Sequence, residues 1–264
     1  LIKAYNLSTG NTTVLARIGD DVKKVTLLSP DRLLFINKTD ERDHGQELSV
    51  YSVTGENMTP IYTADAGFGI DDYVISPNGR YVAVWEVRFV DGSAMLKGGA
   101  SRVYASEVGK DEKYRLYDEV QTGDTPVNYP LAVTDAGEVY TDRFLPNIVH
   151  GWGYGMSVSN LQGTQKQEIA SMANGMYENQ PLLSPDGRSL VFIGYSTPRR
   201  TTTPENRVTE LAGGNTVGLF DLQSKTKTTL PNLSSSDIYV SVRWDGNDNL
   251  LLWVLGPDGE EKDG

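Results

Sequence analysis

The chain of 264 residues is 38% hydrophobic and acidic, with 24 Lys and Arg against 35 Asp and Glu and a formal net charge of −11. This charge repels a phosphate backbone, so we expect no nucleic-acid partner. The absence of cysteine excludes disulfides, a thiol nucleophile and a cysteine-ligated zinc site. No apolar run approaches the roughly 18 residues that a transmembrane helix needs.

Strand and turn signals alternate along the whole chain and predict an all-β fold. An outer hairpin over residues 1–15 comes first. After it, inner hairpins, which are apolar strand pairs joined by a tight turn, alternate with more polar outer hairpins that end near a glycine. The inner hairpins turn at five positions, namely Ser29, Ser76, Thr134, Ser184 and Arg243.

The turn at residues 184–188, Ser-Pro-Asp-Gly-Arg, shows why the inner hairpins are tight. Proline presets φ at the first turn position, aspartate bonds its own backbone, and glycine accepts the positive φ that closes the turn. Residues 76–80 repeat the pattern as Ser-Pro-Asn-Gly-Arg. The other turns depart from it: glycine is missing after Asp31, proline is missing at 134–138, and the last turn reads Arg-Trp-Asp-Gly.

Inner turns that recur about 50 residues apart predict a β-propeller, in which each blade is a sheet of four antiparallel strands. The predicted blades are 17–64, 65–120, 121–171 and 172–236, with a fifth made from 1–16 and 237–264. Pairing of Asn249–Leu255 with Leu1–Leu7 would close this single domain as a five-bladed ring and remove its exposed strand edges. The rival interpretation is a window of a six- to eight-bladed propeller.

The turns at 76–80 and 184–188, each followed by a β-rich strand, resemble the WD40-like repeat of TolB and of dipeptidyl-peptidase-type propeller domains. The resemblance extends over nearly the whole chain. It implies a scaffolding or sensing module of the bacterial cell envelope, in the periplasm or at the cell surface. Leu1 stands inside a predicted strand, so we expect a preceding segment, which is where a membrane anchor would lie.

Long connections between the second and third strands of a blade should emerge at one end of the propeller, where binding residues usually lie. They are predicted over residues 39–47, 90–101, 143–155 and 197–214. Trp152 and Tyr154, among glycines, are candidates to stack on a sugar or anchor a peptide, and the alternative is packing against a neighbouring blade. Arg199 and Arg200 either meet an anionic partner or belong to a solvated loop.

Each linker into an inner strand carries an acid, which places a carboxylate near the channel mouth in every predicted blade. The acids are Asp20, Asp21, Asp71, Asp72, Asp124, Glu178 and Asp237. We expect no cofactor, and the alternative to solvated turn acids is a site for Ca²⁺ or for a cationic group. Asp72, Asp124 and Glu178 are also the candidates if the propeller is a glycosidase with paired carboxylates.

The sequence thus favours a non-catalytic propeller that binds a protein or peptide through its long-loop end, with no catalytic residue assigned. Trp152, Tyr154, Arg199, Arg200 and the channel acids Asp72, Asp124 and Glu178 are the predicted binding residues. A five-bladed glycoside hydrolase and the propeller domain of a larger peptidase stay open as alternatives.

Overall fold

The computed structural model describes residues 2–5, 8–16, 22–38, 45–88, 100–117, 120–121, 127–147, 151–170, 181–194, 201–202, 208–209, 216–234, 236–246 and 248–256. Every regular element in these ranges is a β-strand. A search of the same residues finds no helix with the length and hydropathy needed to cross a membrane.

Four antiparallel groups of four strands follow one another along the chain, and we call them blades 1 to 4. The pairing of Gly45 with Ile70 joins blades 1 and 2 into one nine-stranded sheet, whereas blades 3 and 4 are separate sheets. Blade 1 contains β3 (Val22–Ser29), β4 (Arg32–Lys38), β5 (Gly45–Ser52) and β6 (Asn57–Thr63). Blade 2 contains β7 (Gly69–Ile75), β8 (Tyr81–Arg88), β9 (Ala100–Glu107) and β10 (Lys113–Arg115), and the short β11 (Val120–Gln121) also pairs with β9.

Blades 3 and 4 repeat this order. Blade 3 contains β12 (Val127–Val133), β13 (Val139–Asn147), β14 (Gly151–Ser159) and β15 (Gln167–Ala170). Blade 4 contains β16 (Leu182–Leu183), β17 (Ser189–Gly194), β20 (Thr216–Asp221) and β21 (Thr226–Thr229). Three further hairpins are β1 (Ile2–Tyr5) with β2 (Thr12–Ala16), β18 (Thr201–Thr202) with β19 (Val208–Thr209), and β22 (Ile238–Asp245) with β23 (Asn249–Leu255).

The inner turns of blades 2 and 4 are held by the hydroxyl group of their first residue. In blade 4 the Ser184 hydroxyl donates to Asp186 Oδ1 (2.6 Å) and accepts from the backbone N–H groups of Arg188 and Ser189 (3.1 and 2.9 Å). The Ser76 turn of blade 2 has the same bonds to Asn78, Arg80 and Tyr81. Buried backbone donors are thereby satisfied within the turn, which explains a serine before each Pro-Asx-Gly sequence.

These turns also meet one another. The backbone N–H of Asn78 in blade 2 donates to Asp135 Oδ1 in the blade 3 turn (2.9 Å). The turn of blade 4 approaches blade 2 so closely that a Cβ atom on Gly187 would lie 2.7 Å from Pro77 Cγ. The inner turns of three blades therefore converge at one end of the propeller.

The hydrophobic core consists of layers between consecutive blades. Blades 1 and 2 share a cluster that includes Leu34, Ile36, Val82 and Val84, and blades 2 and 3 share one that includes Trp85. Tyr140 and Phe220 lie in the layer between blades 3 and 4, and Val191 and Tyr239 in the layer between blade 4 and the hairpin of β22 and β23. Each strand of a blade thus buries apolar side chains toward its neighbours, and packing between faces holds the blades together.

The predicted all-β class and four-stranded antiparallel blades are confirmed. The predicted pairing of Asn249–Leu255 with Leu1–Leu7 is not found among the described residues, where β1 with β2 and β22 with β23 form two separate sheets. The number of blades in the closed ring stays a prediction.

One predicted connection is wrong. Residues 143–155 were expected to form a long loop, but residues 143–147 and 151–155 are strand, paired from Arg143 with Gly155 to Asn147 with Gly151. The physical reason is visible in the sequence, because Gly-Trp-Gly-Tyr-Gly-Met alternates with period two and Trp and Tyr favour strands. Only residues 148–150 connect β13 to β14.

Candidate functional site

The acids predicted at the channel mouth of blade 2 are engaged by lysines of blade 1. Lys24 Nζ contacts the Asp72 carboxylate and donates to the backbone carbonyl of Tyr73 (2.7 Å). Beside it, Lys23 Nζ lies 2.9 Å from Asp71 Oδ1. Lys24 has a positive φ of 47°, at a bulge that lets consecutive lysines both reach the neighbouring blade. Asp72 therefore lies in an interblade ion pair.

The other acids of the predicted ring are less informative. Asp20, Asp21, Asp124 and Glu178 lie outside the described residues. Asp237 precedes β22 and is buried, with 8% of its surface exposed. Within the described part of the chain no three His, Asp or Glu side chains are grouped as a metal site would require. The grouping of Asp72, Asp124 and Glu178 at the channel mouth therefore stays a prediction.

The predicted aromatic residues lie in blade 3, and the predicted basic residues belong to the connection between β17 and β20. Trp152 and Tyr154 occupy alternate positions of β14, opposite Pro146 and Phe144 of β13. The pairing of β12 with β13 is described as far as Val127 with Phe144, and the residues before Val127, 122–126, lie outside the described part of the chain. We call the part of the β13–β14 hairpin beyond residue 144 the ribbon. Arg199 and Arg200 lie outside the described residues, directly before β18.

A buried ion pair joins the second and third strands of blade 2. Glu86 on β8 is fully buried, and its Oε2 atom lies 2.9 Å from Nε of Arg102 on β9, which is 8% exposed. Tyr62 of blade 1 donates its hydroxyl hydrogen to Glu86 Oε1 (2.6 Å). Burial, followed by the Glu86 charge, raises the pKa of Tyr62, so the phenol stays protonated and remains a donor.

Arg102 extends this pair toward the blade 1 to blade 2 linker. Its Nη2 atom lies 2.8 Å from Asp65 Oδ2, and its guanidinium stands 3.5 Å from the ring centre of Phe68. Lys113 of β10 donates to Asp65 Oδ1 (2.9 Å) and to the carbonyl of Thr63 (2.8 Å). The hydrogen bond from Lys113 and the nearby cations hold the pKa of Asp65 below its ordinary value, despite partial burial.

This ionic cluster, formed by Tyr62, Asp65, Glu86, Arg102 and Lys113, was not predicted. One signal in the sequence could have found part of it: Glu86 interrupts the apolar run of β8, and a buried carboxylate requires a cation beside it. Two cations offset two carboxylates, and each carboxylate accepts more than one hydrogen bond. The arrangement can fix the angle between blades 1 and 2. It can also fix the position of the side chains that line a cavity between these blades.

A groove of about 430 Å³ opens between blades 2 and 3 beside their turns. It is lined by Tyr81 and Tyr114 and by several carboxylates. Two of these are paired, because Glu107 lies 3.3 Å from Arg80 Nε and Glu138 lies 2.6 Å from Lys225 Nζ. The net negative charge of the groove is therefore smaller than the number of its carboxylates indicates.

These blades define an all-β protein of the β-propeller class. No protein-family model matches the sequence, and no curated protein is similar enough to count as a relative. The chain is similar in structure to an oligogalacturonate lyase in complex with manganese (TM-score 0.60, 16% identity, 98% of this chain and 69% of the other).

Two further solved structures are similar in the same way. One is an oligogalacturonate lyase of Vibrio parahaemolyticus, with a TM-score of 0.60 at 12% identity over 98% of this chain and 69% of the other. The second is a prolyl endopeptidase, with a TM-score of 0.53 at 13% identity over 98% of this chain and 36% of the other. At these identities the likeness shows the fold, and the TolB family in particular is not identified by it.

Proposed function

We propose that this propeller is a non-catalytic binding module that holds a protein or peptide through the end at which its second and third strands are connected. The ribbon of β13 and β14 beyond residue 144 carries the proposal. It continues the pairing of β13 and β14 to Asn147 with Gly151, at the end of blade 3 where its second and third strands are connected, and it places Trp152 and Tyr154 at alternate strand positions. Aromatic residues are typical anchors of protein interfaces.

The insertion between β17 and β20 supports the same end of the molecule. It contains its own pair of strands, β18 and β19, and the basic residues Arg199 and Arg200 come directly before β18 in the sequence. On a chain with a net charge of −11, a basic insertion would select a partner with acidic groups. The proposal includes the envelope setting implied by the TolB-like turns, outside the cytoplasm.

The interblade ion pair of Asp72 and Lys24 gives Asp72 a structural role, so the proposal needs no catalytic role for it. A five-bladed glycoside hydrolase stays an alternative, because the Asp72 side chain is partly exposed and the chemistry needs a second carboxylate near it. The other alternative is that this chain is the propeller domain of a larger peptidase. In that case the same protein would also contain a catalytic domain.

The test is an affinity capture from envelope extract of the source bacterium, followed by a measured Kd for the purified partner. The intact chain is compared with Trp152→Ala/Tyr154→Ala and with a Gly-Ser turn in place of residues 199–213. Met58→Ala is the control, because Met58 is a 51% exposed apolar residue on the outer strand β6, away from the proposed surface. We expect the ribbon variant to raise Kd by about tenfold or more, as for aromatic anchors elsewhere, and the control to leave it unchanged.

A partner that binds all the variants equally would contradict the assignment to this end of the molecule. The non-catalytic proposal would be contradicted if the chain hydrolyses any of a panel of glycosides and the Asp72→Asn variant does not. A gene that encodes a catalytic domain after this chain would instead identify the peptidase alternative.

A further inference from the structure

A cavity of about 470 Å³ opens between the outer strand of blade 1 and the outer hairpin of blade 2. Tyr62 of β6 lies on one side, and Ser106, Lys110, Asp111 and Lys113 of the β9–β10 hairpin lie on the other. Its volume lies in the range of small-molecule sites, and both walls are strands held together by the ionic cluster. This cavity is distinct from the ribbon and the β17–β20 insertion.

Ser106 is a buried polar group that the protein leaves unsatisfied. It is 1% exposed, and its Oγ atom has no hydrogen-bond partner among the described residues. A hydroxyl in this position loses its bonds to water on folding, and native structures rarely leave such groups without a partner. Ser106 lines the cavity, but its Oγ atom lies beneath the cavity wall, so a ligand must turn the side chain about χ1 to provide the missing hydrogen bond.

Two ammonium groups accompany this hydroxyl. Lys113 Nζ donates to Asp65 and Thr63 and stands 4.8 Å from the ring centre of Tyr62, which fixes its position. A lysine ammonium has three donors, so one is left for a ligand. Lys110 is exposed at the same cavity and forms no ion pair with any residue that the structure describes.

The geometry points to a binding site for a small carboxylic acid. A carboxylate can accept hydrogen bonds from Lys110, from the remaining donor of Lys113 and from the Ser106 hydroxyl, and bonds from ammonium to carboxylate are the strong, charge-assisted kind. Asp111, the one carboxylate that lines the cavity, can accept from a hydroxyl or amino group elsewhere on the ligand. The acid can be a free metabolite or the side chain of a peptide.

The experiment titrates the full chain with succinate by calorimetry, with uncharged succinamide as the matched ligand. We expect succinate to bind and succinamide not to bind. Lys110→Ala and Ser106→Ala should each weaken succinate binding by about three- to tenfold, the effect of losing one hydrogen bond to a charged group. Lys3→Ala removes the same charge from an exposed position of β1 and should leave the affinity unchanged.

Ser106→Ala also separates binding from folding. Because its hydroxyl has no partner in the protein, the variant should unfold at the same temperature as the wild type or higher, while losing succinate affinity. Equal affinity for succinate and succinamide, or an equal loss in Lys3→Ala, would overturn the site. A capped tripeptide with a central aspartate, titrated in parallel, assigns the acid to a peptide if it binds more tightly than succinate and to a free acid if it does not.

Discussion

At the scale of single residues, Gly187 stands at the closest approach of two blades. It has a φ of 71°, as does its counterpart Gly79 in blade 2. A Cβ atom on Gly187 would meet Pro77 Cγ at 2.7 Å, whereas one on Gly79 would have nothing within 4 Å. We expect Gly79→Ala to cost about 1–2 kcal/mol of unfolding free energy for its left-handed backbone. Gly187→Ala should cost about 1–3 kcal/mol more for the steric overlap.

Urea unfolding of both variants at one pH provides the comparison, and Gly79→Ala is the control for the backbone term. Equal losses in the two variants would mean that the blade 4 turn moves away from Pro77 without cost. That outcome would contradict the convergence of the inner turns.

A second prediction for a single residue concerns Asp65 and the pH dependence of the free energy of unfolding. Its pKa is lowered in the folded protein from an ordinary value of 3.8, first by the hydrogen bond from Lys113. A carboxyl group with a depressed pKa stabilises the fold above its ordinary pKa, and this contribution is lost as the pH falls through the folded value. The stability gap between wild type and Asp65→Asn should therefore be full at pH 7 and shrink below pH 3.8.

Unfolding curves of the two proteins from neutral to acid pH measure that gap. Asp186→Asn is a useful comparison, because a different local bond, from Ser184, lowers the pKa of Asp186. A gap for Asp65→Asn that is constant down to the lowest pH would show that its charge does not contribute to stability.

At the scale of strands, the pair of Glu86 and Arg102 determines how β8 and β9 face blade 1. Removing one partner leaves the other charge buried, at a typical cost of about 3–5 kcal/mol. We expect Arg102→Met to lose that much, and Glu86→Gln/Arg102→Met to lose less than the sum of its single variants. A double-mutant cycle from urea unfolding measures the difference, and strictly additive losses would contradict a coupled pair.

The same strands show how far the sequence alone could lead. Ser-Pro-Asp-Gly predicted its turns because proline, aspartate and glycine act within four residues, and the Ser76 and Ser184 turns have these local bonds. The pairs of Lys24 with Asp72 and of Arg102 with Asp65 depend on how residues distant in the sequence are brought together, which no local pattern encodes. Around Trp152 and Tyr154 the alternation with period two indicated a strand, but the glycines between them led to the prediction of a loop.

At the scale of the whole molecule, the described blades leave two apolar faces open. On β3, Val25 and Leu27 are 43% and 59% exposed, and on β23, Leu251 and Trp253 are 45% and 52% exposed. The alternate residues of β23, such as Leu252, pack against blade 4. Apolar side chains on both sides of a strand are typical of a blade between two neighbours, so each of these faces should be covered in solution.

We expect the two faces to cover each other in a closed ring. Because the chain has no cysteine, pairs can be introduced singly: Leu27→Cys with Leu251→Cys, and Val25→Cys with Trp253→Cys. Packed sheet faces lie about 10 Å apart, beyond the roughly 7 Å between Cα atoms that a disulfide allows, so a short bifunctional thiol reagent is used. Treatment of the dilute protein with this reagent, followed by mass spectrometry, should find an intramolecular cross-link in at least one pair, with Leu27→Cys/Met58→Cys as a control that should not cross-link within the chain. Cross-links only between chains would mean that a second copy covers the faces, and the absence of any cross-link would favour further blades between them.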